Sequence, residues 1–115
     1  MKNKNYLIRR NDNTRILYGL ARGHALEEDE TLALVRVFVD TEDKPKGIWA
    51  IIDIASGLHV LTHRTSRKAL MERWNQVAPE WTLRIEASRT TQRYAERLKE
   101  CQAEYETWRQ SGYQL

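Results

Sequence analysis

Five residues between positions 59 and 68 offer the densest chemistry in this sequence: His59, His63, Arg64, Arg67 and Lys68. Thr65 has the side chain of a helix N-cap, which would gather His63, Arg64, Arg67 and Lys68 around the positive end of a helix. Carboxylates are normally preferred there. A phosphate or carboxylate ligand would turn that misplacement into attraction, through free backbone N–H groups and the arginines together. The plainer alternative is a solvated first turn whose cations find Glu72 or the acidic stretch upstream.

A second basic row, Arg89, Arg93 and Arg97 at spacing four with Arg84 before it, could track a phosphate backbone. Glu86, Glu96, Glu100 and Glu104 lie among the same positions, so Arg93–Glu96 and Arg97–Glu100 pairs explain much of the row as ordinary surface pairing. A third feature is aromatic. Trp49, Trp74, Trp81 and Trp108 stand beside five tyrosines, and interface hot spots favour Trp, Tyr and Arg. Tyr94, Leu98, Cys101, Tyr105 and Trp108 recur at alternating spacings of four and three. That seam packs on the sheet or on a second copy of the chain.

For catalysis the best pair is Asp53 and His59, which a hairpin would set opposite each other, the carboxylate orienting the imidazole. A hydrolase also needs an activated nucleophile, and nothing near Ser56 positions it as one. Cys101 sits on an apolar stripe and reads as a core thiol. The three histidines lack metal-ligand spacing with Cys or paired carboxylates, and the five glycines form no phosphate loop. No cofactor or metal is expected, and an enzyme is not the leading class.

The elements that must position these residues follow from periodicity. Tyr6 and Ile8, then Ile16, Tyr18 and Leu20, alternate with polar residues around an Asn11-Asp12-Asn13 turn. Leu32 to Val39 is rich in β-branched residues and reads as a strand, although Glu27 to Glu30 would suit the start of a helix from Ala25. Ile48 to Ile54 alternates on both faces. Ala55-Ser56-Gly57 then fits a three-residue turn with Gly57 left-handed. That register pairs Ile52 with Val60, Ile51 with Leu61, Asp53 with His59 and Trp49 with His63. A helix should run over 66–78, stopped by Pro79. Trp81, Leu83 and Ile85 suggest a last short strand, and Ser88 caps a long helix over 88–110 that ends at Gly112.

The expected fold is therefore α+β. One domain spans 1–115, with an antiparallel sheet of four or five short strands packed on one face by helices at 66–78 and 88–110. At 115 residues the chain can bury a core without staples. A single cysteine excludes an internal disulfide. The longest apolar run, Ile48 to Ile52, is far short of a membrane span, and no apolar run of signal-peptide length follows the basic Met1–Tyr6 stretch. A cytoplasmic location is expected.

Charge is segregated behind a net +3. The first 25 residues carry six Lys/Arg against Asp12, whereas 26–45 hold seven acids against Arg36 and Lys44. The acidic belt, Glu27 to Glu30 with Asp40, Glu42 and Asp43, could meet a basic partner or serve as solvated edge protection.

The leading expectation is a non-catalytic binding protein of the small accessory kind found on phages and mobile elements. It would act by occupying a protein partner's surface, as inhibitors of host defence nucleases do. A nucleic-acid-binding accessory protein and a homodimer joined through Tyr94–Trp108 are the alternatives.

Overall fold

A computed structural model describes residues 3–11, 16–39, 46–63 and 66–115. Five strands run in chain order: β1 (Lys4–Asn11), β2 (Ile16–Ala25), β3 (Leu32–Val39), β4 (Lys46–Asp53) and β5 (His59–His63). Helices α1 (Arg67–Arg89) and α2 (Gln92–Gln110) follow. The strands form one antiparallel sheet in the order β1-β2-β3-β4-β5. The chain is thus a small α+β domain, with β4 inside the sheet as its two apolar faces require.

The sheet curls. All of β2 but its last two residues pairs with β1, from Asn11↔Ile16 to Lys4↔Gly23, whereas only Arg22 to Ala25 pair with β3. The strand turns this corner at Gly23, where an added Cβ would overlap the Leu34 carbonyl oxygen, so only glycine allows the approach. Beyond the corner the β4–β5 turn reaches the outer edge of β1. There the Arg9 N–H donates to the Gly57 carbonyl at 2.9 Å. The concave face encloses its own core of Tyr6, Ile8, Ala21, Ala33, Val35, Val37, Ala50 and Ile52, with Ile54 packed against it. Neither helix contributes to this cluster among the described residues.

The convex face carries both helices. Leu26, Leu32, Leu34 and Ile51 pack with Leu70 and Trp74 of α1, and Val77, Trp81 and Ile85 extend that layer. α2 lies on β1, where Leu7 and Cys101 are fully buried and the Leu7 N–H donates to the Tyr105 hydroxyl at 3.1 Å.

Three sequence expectations are corrected and one choice left open is decided. α1 does not stop at Pro79 but runs through it to Arg89, so residues 81–85 are helical and no sixth strand exists among the described residues. The reason is energetic. An interior proline costs about 3 kcal/mol. Carrying the Leu70, Trp74, Val77 stripe on to Trp81 and Ile85 recovers a comparable amount from two half-buried side chains. The alternation through Leu83 was coincidental, since Leu83 is 68% exposed.

Second, the helix caps lie elsewhere. Ser66 caps α1, its hydroxyl accepting from Ala69 N–H at 3.1 Å; Thr65 lies outside the described residues. Ser88 belongs to the last turn of α1, and Thr91 caps α2, accepting from Tyr94 N–H at 3.2 Å. The Thr90 and Thr91 hydroxyls donate to the Ala87 and Ser88 carbonyls, which closes α1 before α2 begins. The far end is as expected, Gly112 taking φ +95° just past the helix.

The choice left open after Ala25 falls to the strand reading, and no helix starts between Ala25 and Thr31. After β2 ends, the chain turns on Asp29, whose carboxylate accepts from the Thr31 N–H and hydroxyl, and β3 begins at Leu32.

The third correction is to the β4–β5 register, which holds for Trp49↔His63 and Ile51↔Leu61 but then shifts, so Ile52 faces His59. The bulge leaves Val60 as the extra residue and turns both Val60 and Leu61 toward α1. Gly57 adopts the left-handed conformation, at φ +71°.

Candidate functional site

Along the sheet registers, Arg22 lies opposite Arg36, Arg36 opposite Trp49, and Trp49 opposite His63. This cross-strand row brings basic residues of β2 and β3 to a tryptophan of β4. The Arg36 guanidinium carbon stands 5.6 Å from the centre of the half-buried Trp49 ring. Arg67, in the first turn of α1, stands 6.0 Å from the same ring. Each such contact is worth roughly 0.5–1 kcal/mol at an exposed site. Arg67 also reaches His24, Nη2 to Nε2 at 3.0 Å, while His24 Nδ1 is 3.1 Å from the Ala25 carbonyl. Because a guanidinium can only donate, His24 must accept at Nε2 and donate at Nδ1. A shallow cavity of about 150 Å³ beside this pair is lined by Arg67, His24, Glu27 and Glu28. The surface is therefore cationic over Trp49 and acidic at its border.

Of the first sequence-predicted cluster, Arg67 joins this surface. Lys68 is exposed and faces Glu72 at 4.0 Å. The His63 backbone lies opposite Trp49, and Arg64 lies outside the described residues.

The second basic row separates into different tasks. Arg84 pairs with Glu80 at 2.6 Å and lies over Trp81. Arg89 turns inward to Asp53 at 2.7 Å and to the Thr31 hydroxyl at 2.8 Å. Arg93 and Arg97 line a pocket at the start of α2, with Arg97 also 3.3 Å from Glu100. Arg93–Glu96 is not among the ion pairs formed.

Asp53 is not opposite His59, as the hairpin reading required. The bulge displaces that pairing, and Asp53, on the same strand face as Trp49 and Ile51, points beneath the helices. Only 3% exposed, it gathers donors from three elements. The Ser56 hydroxyl donates at 2.6 Å, the Ser56 N–H at 3.2 Å, the Tyr94 hydroxyl at 2.6 Å and Arg89 at 2.7 Å. Burial pushes the carboxyl up, but the hydrogen bonds from Ser56, Tyr94 and Arg89 with the Arg89 charge outweigh it, and Asp53 lies below its ordinary value. Tyr94 is pushed up to about 12 by burial and by its bond to Asp53. Ser56 is fully buried, its hydroxyl committed to Asp53.

The seam on α2 turns toward β1. Tyr94 reaches Asp53, Cys101 is fully buried, and Tyr105 meets the Leu7 amide; Leu98 is half-buried. Trp108 donates its indole N–H to Glu104 at 3.1 Å and packs edge-on against Tyr113 at 4.8 Å. Burial, then the charges of Asp53 and Glu104, push the Cys101 thiol up to about 12.

Sequence reasoning missed Arg9 and the Arg36–Trp49 stack. Arg36 alternates with valines on β3, and the signal for the stack was its place on the face opposite them. Arg9 sits two residues after Leu7, on the helix-covered face of β1. An arginine in that alternation marks a guanidinium held against a core.

Among the described residues, no three His, Cys, Asp or Glu side chains gather as a metal ion would need. No helix there is long and apolar enough to cross a membrane. No family model matches the chain, and neither the curated proteins nor the solved structures contain a match to it.

Proposed function

We propose that this is a small non-catalytic binding protein that engages a protein partner through the surface formed by Arg36, Trp49 and Arg67. The observation that carries this reading is the pair of guanidiniums flanking one tryptophan on the sheet surface. Trp and Arg are the residue types that dominate interface energies, and stacking on the ring holds the arginines in place before a partner arrives. The border of Glu27 and Glu28 gives the surface both signs of charge, which suits a protein better than a phosphate backbone. The strongest acid–base candidate, Asp53, is committed to bracing the β4–β5 turn, which further supports a binding role. The protein would act in the cytoplasm as an accessory protein of a phage or mobile element, for example by occupying the surface of a host defence nuclease.

The test is affinity capture with the wild-type chain and with an Arg36→Glu, Arg67→Glu variant, followed by calorimetry on each captured partner. A genuine partner loses about 2 kcal/mol or more of binding in the variant. Equal affinity for both proteins overturns the reading.

The Arg22–Arg36 adjacency favours a second reading, nucleic-acid binding across the same row. It predicts a gel shift with DNA or RNA at low salt that weakens steeply as salt rises. No shift at low salt removes it.

A further inference from the structure

We propose that the pocket where α2 begins binds a phosphate-class oxyanion, held by Arg9, Arg93, Arg97 and the first-turn amides of the helix. The pocket encloses about 170 Å³ and lies apart from the Trp49 surface. That is below the roughly 300–1,000 Å³ of sites for drug-sized ligands, so it suits one small charged group.

Three arginines from two elements line it: Arg9 from β1, Arg93 and Arg97 from α2. Arg9 is the unusual member. Its side chain is only 7% exposed, and its Nε and Nη2 have no hydrogen-bond acceptor among the described residues. Arg9 forms an ion pair with the Glu100 carboxylate, 3.6 Å from Nη2 and too long for a hydrogen bond, and Glu100 is shared with Arg97 at 3.3 Å. The Tyr18 phenol is close, but in no geometry that satisfies these two nitrogens. Glu100 compensates the Arg9 charge only at ion-pair distance, and the two unused donors are buried in a side chain that lines the pocket, so an oxyanion seated there would add the acceptors this guanidinium lacks.

The helix adds donors. Thr91 accepts from the Tyr94 amide, and its carbonyl accepts from the Ala95 amide. The Gln92 and Arg93 amides, by their place in the first turn, have no intrahelical acceptor. The turn holds no acid and carries Arg93, the reverse of what the helix dipole favours. A bound anion explains both the missing carboxylate and the added arginine. The ligand is free phosphate or the phosphoryl end of a small phosphorylated molecule.

The full-length chain would be titrated with sodium phosphate, with sodium chloride at matched ionic strength, and with adenosine monophosphate. Calorimetry and the amide resonances of Gln92 and Arg93 are the readouts. Saturable binding of phosphate but not chloride, with both amides shifting, is expected. Arg93 is exposed, so Arg93→Gln should fold normally and bind at least about tenfold more weakly; Arg97→Gln gives a second check. Equal affinity for phosphate and the nucleotide means that the anion alone is recognised, whereas tighter nucleotide binding means that the pocket holds the end of a larger ligand. Phosphate indistinguishable from chloride, or both variants binding like the wild type, overturns the proposal.

Discussion

The Asp53 carboxylate and the Tyr94 hydroxyl meet at 2.6 Å although 41 positions separate them. Through this bond the last residue of β4 fixes the first turn of α2, while Arg89 joins the end of α1 to the same carboxylate. One buried acid therefore ties β4 to both helices.

Asp53→Asn should destabilise the protein by about 3 kcal/mol, because it leaves a partly buried Arg89 without its counter-charge. Tyr94→Phe removes a single hydrogen bond to that charge and should cost about 1.5–3 kcal/mol. Urea unfolding measures both. A loss below about 1 kcal/mol for Asp53→Asn would show that the carboxylate does not brace the corner.

Stability should fall at both ends of the pH scale. Asp53 titrates below its ordinary value of 3.8 when folded, so its contribution is complete above that pH and is lost as pH falls through the lower folded value. Tyr94 and Cys101 are raised, from 10.0 and 9.0 respectively, to about 12. Their contributions are complete below the unfolded values and are lost as pH rises toward about 12. Thermal unfolding across pH should show an alkaline decline beginning near 9. In Cys101→Ala that onset should move up toward the Tyr94 range.

Gly57→Ala should cost about 1–3 kcal/mol. It places a side chain at φ +71° and brings a Cβ to 3.0 Å from the Leu7 carbonyl oxygen, with backbone rather than a flexible side chain as the obstacle. A neutral result in chemical denaturation would mean that the turn does not rest on β1.

Pro79→Ala should stabilise the protein, by up to about 3 kcal/mol, since it restores a backbone donor inside a continuous helix at an exposed position. Were Pro79 a helix stop, the same change would be neutral or harmful. Denaturant midpoints separate the outcomes.

The strands were legible because two-residue alternation in Leu32–Val39 and Ile48–Ile54 is a local property of the chain. The proline was misleading because its cost is local and the stripe that offsets it, Trp81 and Ile85, gains only when the sheet lies beneath. Ser88 and Thr91 are both good caps, and the chain uses Thr91, which leaves Arg89 in the last turn of α1, bonded to Asp53. The expected basic row dispersed because a spacing of four on one helix became positions on two helices meeting at a corner. The pocket at α2 could not be read from sequence at all, because Arg9 meets Arg93 and Arg97 only after the last helix folds back over the first strand.

The contact between Gly57 and β1 bears on how the protein behaves when concentrated. An outermost strand with free amides and carbonyls is a template on which another molecule can add a strand of its own, and fibres grow that way. Here the Arg9 amide is already occupied by the Gly57 carbonyl, so the chain blocks part of that template with its own turn. Loosening the turn would turn a folding defect into an aggregation hazard.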